Sequence, residues 1–306
     1  MPASPPSGRQ YVLRHGSQRA IVTEVGAGLR RYTIGERDVL DGFGEAEICD
    51  ACRGAALLPW PNRIQDGRYE FMGKTYQTAL TEPSRHNAIH GLARWVSWTA
   101  GDHRPDQVTM ALALHPQDGY PFSLALEIEY RLDASGLTVR TTATNNGTTP
   151  LPYGAGHHPY FTVGTARIDE AMLRIPALMR LEADDRLIPT GRLVPIEGTP
   201  YDFLELRAIG DLQMDTAFAN LIADTDGIIR VYLQAPDGDP KLTLWMDATH
   251  AYLMVFTGDA LPDPARRRRS VAIEPMTCAP NAFRTGDGLR VLEPGASMVS
   301  SWGISP

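Results

Sequence analysis

The feature that most restricts the fold of this 306-residue chain is a long period-two alternation between residues 122 and 143. Phe122, Leu124, Leu126, Ile128, Tyr130 and Leu132 share one parity, while Ser123, Ala125, Glu127, Glu129 and Arg131 share the other. Successive side chains of a strand point to opposite faces of a sheet, so this pattern predicts a strand with one apolar and one polar face. Leu137, Val139, Thr141 and Ala143 resume the alternation beyond a turn at Asp133–Gly136, which makes 122–143 a hairpin. Val108–Leu114 and Leu242–Met246 alternate in the same way, and Tyr69–Tyr76 folds back on itself around Met72-Gly73-Lys74. Ile228–Leu233, Tyr252–Phe256 and Val271–Ile273 are compact apolar runs with the length of strands.

Helical periodicity is weak. Met172, Ile175 and Leu178 are spaced by threes, but Pro176 among them would interrupt a helix, so 167–190 reads as strand, bend and strand. The segment 201–210 has room for a helical turn. Glycine and proline, 28 and 24 residues, together make about one residue in six and supply the turns that many short strands need. No linker, repeat or low-complexity tract divides the chain beyond its first eight residues. The expectation is an all-β fold: two packed antiparallel sheets, larger than those of an immunoglobulin sandwich, forming a single domain over 1–306 with 1–10 as a flexible tail.

Several function classes are disfavoured on the same footing. The net charge of −7 gives no overall field for nucleic acid or an anionic membrane surface. Apolar runs are too short to span a bilayer as helices, and the polar stretch Met1–Tyr11 does not look like a secretory signal. Cys49, Cys52 and Cys278 are too few and too odd in number for a disulfide framework, which points to a reducing cytoplasm. Neither a phosphate loop nor a dinucleotide fingerprint is present, and no cofactor is expected.

Five segments carry chemistry. Arg63 lies in Trp60-Pro61-Asn62-Arg63-Ile64, where it either snorkels outward or aims its guanidinium at a partner. His90 stands between Ile89 and Gly91. His157 and His158 sit between the glycine-rich Gly154-Ala155-Gly156 and the aromatic exit Pro159-Tyr160-Phe161; as strand neighbours they face opposite ways, and parity allows either one to face a pocket. Asp215 is a lone carboxylate between Met214 and Thr216-Ala217-Phe218. Glu274 ends Val271-Ala272-Ile273-Glu274-Pro275, on the opposite parity from Val271 and Ile273, and in a part-buried site its pKa would rise toward that of a useful base. Taken singly, each residue has an ordinary structural reading. Together, with Trp60 and Tyr160 nearby as stacking surfaces, they supply the forked donors, carboxylate acceptors and aromatic platform that a neutral polyol requires.

In this order, Asn62-Arg63-Ile64 with Gly67, Tyr69, Phe71, Gly73 and Tyr76, then Ile89-His90-Gly91, His158-Pro159-Tyr160-Phe161, Met214-Asp215 and Ile273-Glu274-Pro275 resemble the aldose 1-epimerase, or galactose mutarotase, family from about residue 20 to the C-terminus. The resemblance implies a single antiparallel β-supersandwich with a sugar site on a concave sheet face. It implies an isomerase that interconverts α and β anomers of a monosaccharide, working without metal or cofactor as a monomer or homodimer. It also implies Glu274 as catalytic base, His158 as general acid, and Arg63, His90 and Asp215 as substrate-binding groups. One departure is His157, since an asparagine often precedes the acid histidine in the galactose mutarotases.

Three other readings follow from the residues. Cys49-Asp50-Ala51-Cys52 with His86 and His90 has the composition of a zinc site, although its spacing is far from that of a zinc finger. The same pocket could bind a sugar without turning it over. The run Arg266–Arg269 leads into the strand bearing Glu274, so part of it could reach a phosphorylated or sulfonated sugar; otherwise it is a solvated loop.

Overall fold

The hairpin at 122–143 lies inside the larger of two main sheets in the computed structural model, which describes residues 5–306. Strands Leu124–Asp133 and Gly136–Asn145 pair antiparallel, with Leu132 opposite Leu137 and Asp133 opposite Gly136. Ser135 donates its backbone N–H to Asp133 Oδ1 (2.8 Å), which closes the turn. Leu124, Leu126, Ile128, Tyr130 and Leu132 are buried, so the apolar parity faces the core.

This nine-stranded sheet runs, in spatial order, Thr99–Arg104, Gln107–Leu114, Leu124–Asp133, Gly136–Asn145, Ser297–Ser305, Lys241–Met246, Ile229–Gln234, Met172–Arg174 and Arg207–Ala208. The second sheet has eight strands. Seven follow the order Pro189–Pro195, Ala177–Ala183, Asp215–Leu221, Tyr252–Phe256, Val271–Met276, Gly156–His157 and Ala56–Leu57, and Tyr160–Phe161 also pairs with Val271–Met276. Both sheets are antiparallel throughout. Their inner faces share one buried apolar cluster. His157 reaches across it, with Nε2 3.1 Å from Thr141 Oγ1 and its ring beside Trp302. A four-stranded sheet, Gln10–His15, Gln18–Thr23, Leu29–Ile34 and Arg37–Asp38, packs against the edge, where Tyr130 Oη donates to the Ala27 carbonyl (2.6 Å).

Strand, bend and strand are found in 167–190, as Met172–Arg174 and Ala177–Ala183 on either side of Ile175-Pro176. The helical turn at 201–210 does not form. Phe203 is wholly buried and its carbonyl accepts from Ile175 N–H (2.8 Å), so the segment is pinned to the core at that point, and its only regular element is the short strand Arg207–Ala208. Ala282–Thr285 is the one α-helix among the described residues, too short to leave a periodic signal. Of the tail expected at 1–10, residues 1–4 lie outside the described residues; Ser7 accepts from Val25 N–H (3.0 Å), and Gln10 opens the first strand. No helix among the described residues is long and apolar enough to cross a membrane.

Candidate active site

Strand register assembles the site on the outer face of the eight-stranded sheet. Phe218, Leu253, Val255, Val271 and Ile273 point into the shared core. The opposite parity carries Asp215 and Ala217, then Met254 and Phe256, then Glu274 and Met276; Asp215 pairs with Phe256, and Met254 with both Ala217 and Glu274. On the far side of Val271–Met276, Gly156 pairs with Met276 and Tyr160 with Ala272. The same register, followed through the interruption between those two pairs, brings His158 opposite Glu274. Their side chains meet there, Nε2 to Oε1 at 3.3 Å. Pro275, which has no N–H to donate, sits within this stretch, where the neighbouring strand is broken and a ladder bond is not required of it.

His158 and Glu274 are both buried. His158 Nδ1 and Glu274 Oε2 have no hydrogen-bond partner among the described residues. A buried carboxylate oxygen left unpaired at a pocket wall is costly, and it marks a place where a ligand hydroxyl would be bound. Burial, reinforced by the Asp215 carboxylate, pushes the Glu274 pKa well up against the opposing pull of Arg63. Burial pulls the His158 imidazole down to about 3, with Arg53 and Arg94 adding to the effect. The His158 ring stacks on Tyr160 (4.9 Å, 15°), and the Arg53 guanidinium lies over the same Tyr160 ring, 4.4 Å from its centroid. The stack fixes the imidazole plane while leaving Nε2 toward Glu274.

His90 is set by backbone strain. It adopts φ 63° and Asn62 adopts φ 54°, both in the left-handed region that non-glycine residues seldom occupy. The two are clamped reciprocally: His90 N–H donates to the Asn62 carbonyl (2.9 Å), and Asn62 N–H donates to His90 Nδ1 (3.2 Å). An accepting Nδ1 requires the ring proton on Nε2, so neutral His90 offers a donor. Burial and neighbouring His158 hold its pKa well below the usual value, which keeps it neutral. Gly91, at φ 68°, follows directly, and a Cβ there would lie 2.0 Å from the Leu58 carbonyl oxygen, which accepts from Leu92 and Ala93 N–H. Gly91→Ala is therefore expected to destabilise the fold by about 2–3 kcal/mol, read as a lowered midpoint in thermal unfolding. An unchanged midpoint would refute this account of the His90 loop.

Arg63 begins the strand Arg63–Gln65, paired with Asn87–Ile89. Its Nε and Nη2 donate to the two carboxylate oxygens of Glu82 (2.9 and 3.0 Å), and Nη2 lies 3.6 Å from Asp215 Oδ2. Asn87 Nδ2 also donates to Glu82 (3.1 Å). Burial alone would raise the Glu82 pKa, but Arg63 and Asn87 hold it below the ordinary carboxylate value. Asp215 goes the other way, raised by burial and only partly restrained by Arg63. Glu82 is thus the structural anchor of the arginine, while the Asp215 carboxylate, at the same pocket, is engaged by Arg63 only at 3.6 Å.

All five residues expected from sequence, Arg63, His90, His158, Asp215 and Glu274, line one cavity of about 430 Å³. That volume lies in the range of pockets for small organic ligands. His157 is turned into the core by strand alternation. Trp60 is not a wall of the pocket but a core residue against Phe283, whereas Tyr160, Trp95 and Phe256 do line it. Glu82 and Arg53 were not legible in the sequence, because no local pattern distinguishes a glutamate before Pro83 that anchors an arginine from one in a surface turn. The literal zinc set does not converge. His86 Nδ1 lies 2.9 Å from Asp66 Oδ1, and the described residues contain no group of three side chains arranged to hold a metal ion.

The basic run does not reach this pocket, although Ala260, Leu261 and Pro262 just ahead of it do. The turn Pro264–Arg266 carries it away, and Arg268 is drawn inward by Asp169 (2.5 Å) and Asp259 (2.8 Å). Proximity in sequence to Glu274 did not imply proximity in space.

A sequence model described as aldose 1-epimerase matches residues 9–305. The uncharacterized protein YihR of Escherichia coli (strain K12) is 33% identical over 290 residues, covering 94% of this chain and 90% of that protein. Human galactose mutarotase is 31% identical over 173 residues, 54% of this chain and half of that protein's length. Among solved structures, a GalM/aldose epimerase homologue from C. elegans superposes with a TM-score of 0.85 at 20% identity, over 97% of this chain and 98% of that one. A galactose mutarotase-like protein from Clostridium acetobutylicum does so with a TM-score of 0.84 at 19% identity, over 96% and 93%. At such identities the structures speak for the fold.

Proposed function

Because the chain belongs to the aldose 1-epimerase family, we propose that it interconverts the α and β anomers of an aldose by opening and reclosing the sugar ring. The observation that carries this reading is the buried His158–Glu274 contact of 3.3 Å at the wall of a cavity that Arg63, His90 and Asp215 also line. The whole chain is taken as one such domain, in keeping with a buried apolar cluster that draws on residues from Leu13 to Ile304. A reducing cytoplasm suits its three free cysteines.

Ring opening needs a proton removed from the C1 hydroxyl and another delivered to the ring oxygen. Glu274 accepts the first through a carboxylate oxygen. The C1–O bond to the ring oxygen then breaks, its electron pair stays on that oxygen, and His158 Nε2 supplies the proton. The aldehyde turns about C1–C2, the hydroxyl adds to its other face, and the two proton transfers run in reverse. The pair therefore works with one shared exchangeable proton. Burial favours the uncharged arrangement of this pair, carboxylic acid beside neutral imidazole. A bound hydroxyl supplies the hydrogen bond that Glu274 Oε2 lacks, favours the carboxylate, and moves the proton to His158. Arg63, fixed by Glu82, and His90, donating from Nε2, hold ring hydroxyls, while Asp215 accepts from them.

The test is polarimetry of freshly dissolved α-glucose and α-galactose. Purified protein is expected to speed the approach to anomeric equilibrium beyond the buffer blank, and His158→Asn to slow it by about 10²-fold or more. Sugar binding with no acceleration, across several aldoses, would instead make this a non-catalytic sugar-binding protein.

A further inference from the structure

Two residues of the basic run, Arg266 and Arg269, help to build a second cleft. It has a volume of about 780 Å³ and shares no lining residue with the catalytic pocket. Its wall brings Arg19, Arg30, Arg31, Arg37, Arg266 and Arg269 together from three separate stretches of chain. Its carboxylates are Asp38, Asp41, Glu45 and Glu47, so the lining carries an excess of two positive charges in a chain whose net charge is −7.

Several of these arginines are only partly neutralised by the chain. The pairing of strands Gln18–Thr23 and Leu29–Ile34 shifts between Ile21–Arg31 and Val22–Leu29, which leaves Arg30 as an extra residue in the ladder. A bulge of this kind redirects a side chain. Arg30 is only 7% exposed, and two of its nitrogens are committed, Nε to Gln10 Oε1 (2.8 Å) and Nη1 to the Phe43 carbonyl (2.7 Å). Its Nη2 has no protein partner among the described residues. Arg19 makes no side-chain hydrogen bond or ion pair there, and its Nε is buried without a partner. The side chains of Arg37 and Arg269 are likewise uncommitted among the described residues. Most of the carboxylates, by contrast, are already occupied: Asp38 by Arg31 (2.8 Å), Asp41 by Arg53 (2.8 Å), and Glu47 by Arg266 at 3.6 Å. Burial, with repulsion from neighbouring arginines, lowers the pKa values of both Arg19 and Arg30, and the Glu45 carboxylate only partly offsets this at Arg30.

We propose that this cleft binds a phosphate group, as free phosphate or as a phosphomonoester. Forked, planar guanidinium donors match phosphate oxygens, and a phosphate carries about −1.5 to −2 charge at pH 7, close to the excess on the wall. The volume leaves room for an organic portion beyond the phosphate. The site is independent of the sugar chemistry and does not rest on it.

Isothermal titration calorimetry of the intact protein with inorganic phosphate and with glycerol phosphate, at low salt, tests the assignment. Saturable 1:1 binding is expected with a Kd below about 1 mM, weakening as salt is added. Tighter binding of glycerol phosphate identifies the ester as the form recognised, and equal binding identifies free phosphate. The double variant Arg19→Gln/Arg269→Gln removes two side chains with no hydrogen bond to lose and should weaken binding at least tenfold without lowering the melting temperature. Arg30→Gln should do the same, with some cost in stability. Absence of saturable binding by both probes, or binding that the double variant leaves unchanged, would overturn the proposal.

Discussion

Glu274→Gln is expected to lower the rate of anomer interconversion by about 10²–10⁴-fold while leaving the fold and sugar binding in place. Glutamine keeps the volume of the side chain, so the sheet face around Met254 and Met276 has no cavity to fill. It cannot take a proton from the C1 hydroxyl. Stability should move in the opposite direction from activity. The folded pKa of Glu274 is raised, so its contribution is fully present below the unfolded value and is lost as pH rises through the folded one. Relative to the parent protein, the glutamine variant should therefore gain in melting temperature on the alkaline side. The same proton count predicts the pH–rate profile of the parent. With the proton shared between Glu274 and His158, kcat/KM should fall as pH rises through the apparent upper pKa of the pair, because the acid proton for the ring oxygen is then gone. Full activity in Glu274→Gln would remove the assignment of the base.

Glu82→Gln is expected to destabilise the protein by about 3–5 kcal/mol, although Glu82 touches no reacting atom in the proposed chemistry. Arg63 is buried, and the Glu82 carboxylate meets two of its nitrogens at 2.9 and 3.0 Å. Removing that charge leaves a buried guanidinium whose nearest carboxylate is Asp215, at 3.6 Å. The arginine would move toward Asp215 and take it from the pocket, so KM for the sugar should rise more than kcat falls. Thermal unfolding and steady-state polarimetry on one preparation separate the two effects. The native contribution of Glu82 also has a sign in pH: its pKa is depressed in the folded state, so the stabilisation is present above the unfolded carboxylate value and fades as pH falls. A variant as stable as the parent at neutral pH would show that Arg63 does not depend on this anchor.

The strand residues were legible because alternation records burial directly. The hairpin at 122–143, the strand at 108–114 and the runs at 252–256 and 271–273 each pair in the structure, since a parity that is apolar in sequence has only one face of a sheet to enter. The helical turn at 201–210 was misread because tertiary contacts, the burial of Phe203 above all, override weak local preference. Trp60 was misread for a related reason: an aromatic residue beside a site in sequence packs wherever an apolar neighbour such as Phe283 is available. Arg266–Arg269 failed as a guide to the sugar because the turn after Pro262 changes the direction of the chain.

By itself, then, the sequence determined the class of fold, the approximate strands, and a short set of polar residues suited to hydroxyl groups. Those follow from periodicity and residue chemistry, which are local properties. Strand alternation alone left His157 and His158 open, and only the tertiary structure decided that His158 meets Glu274, that Glu82 holds Arg63, and that Arg266 and Arg269 line a second cleft. Each of these depends on register between distant strands. A shift of one residue in the pairing around Val271–Met276 would bring His157 rather than His158 opposite Glu274, and strand alternation in the sequence does not specify that alignment.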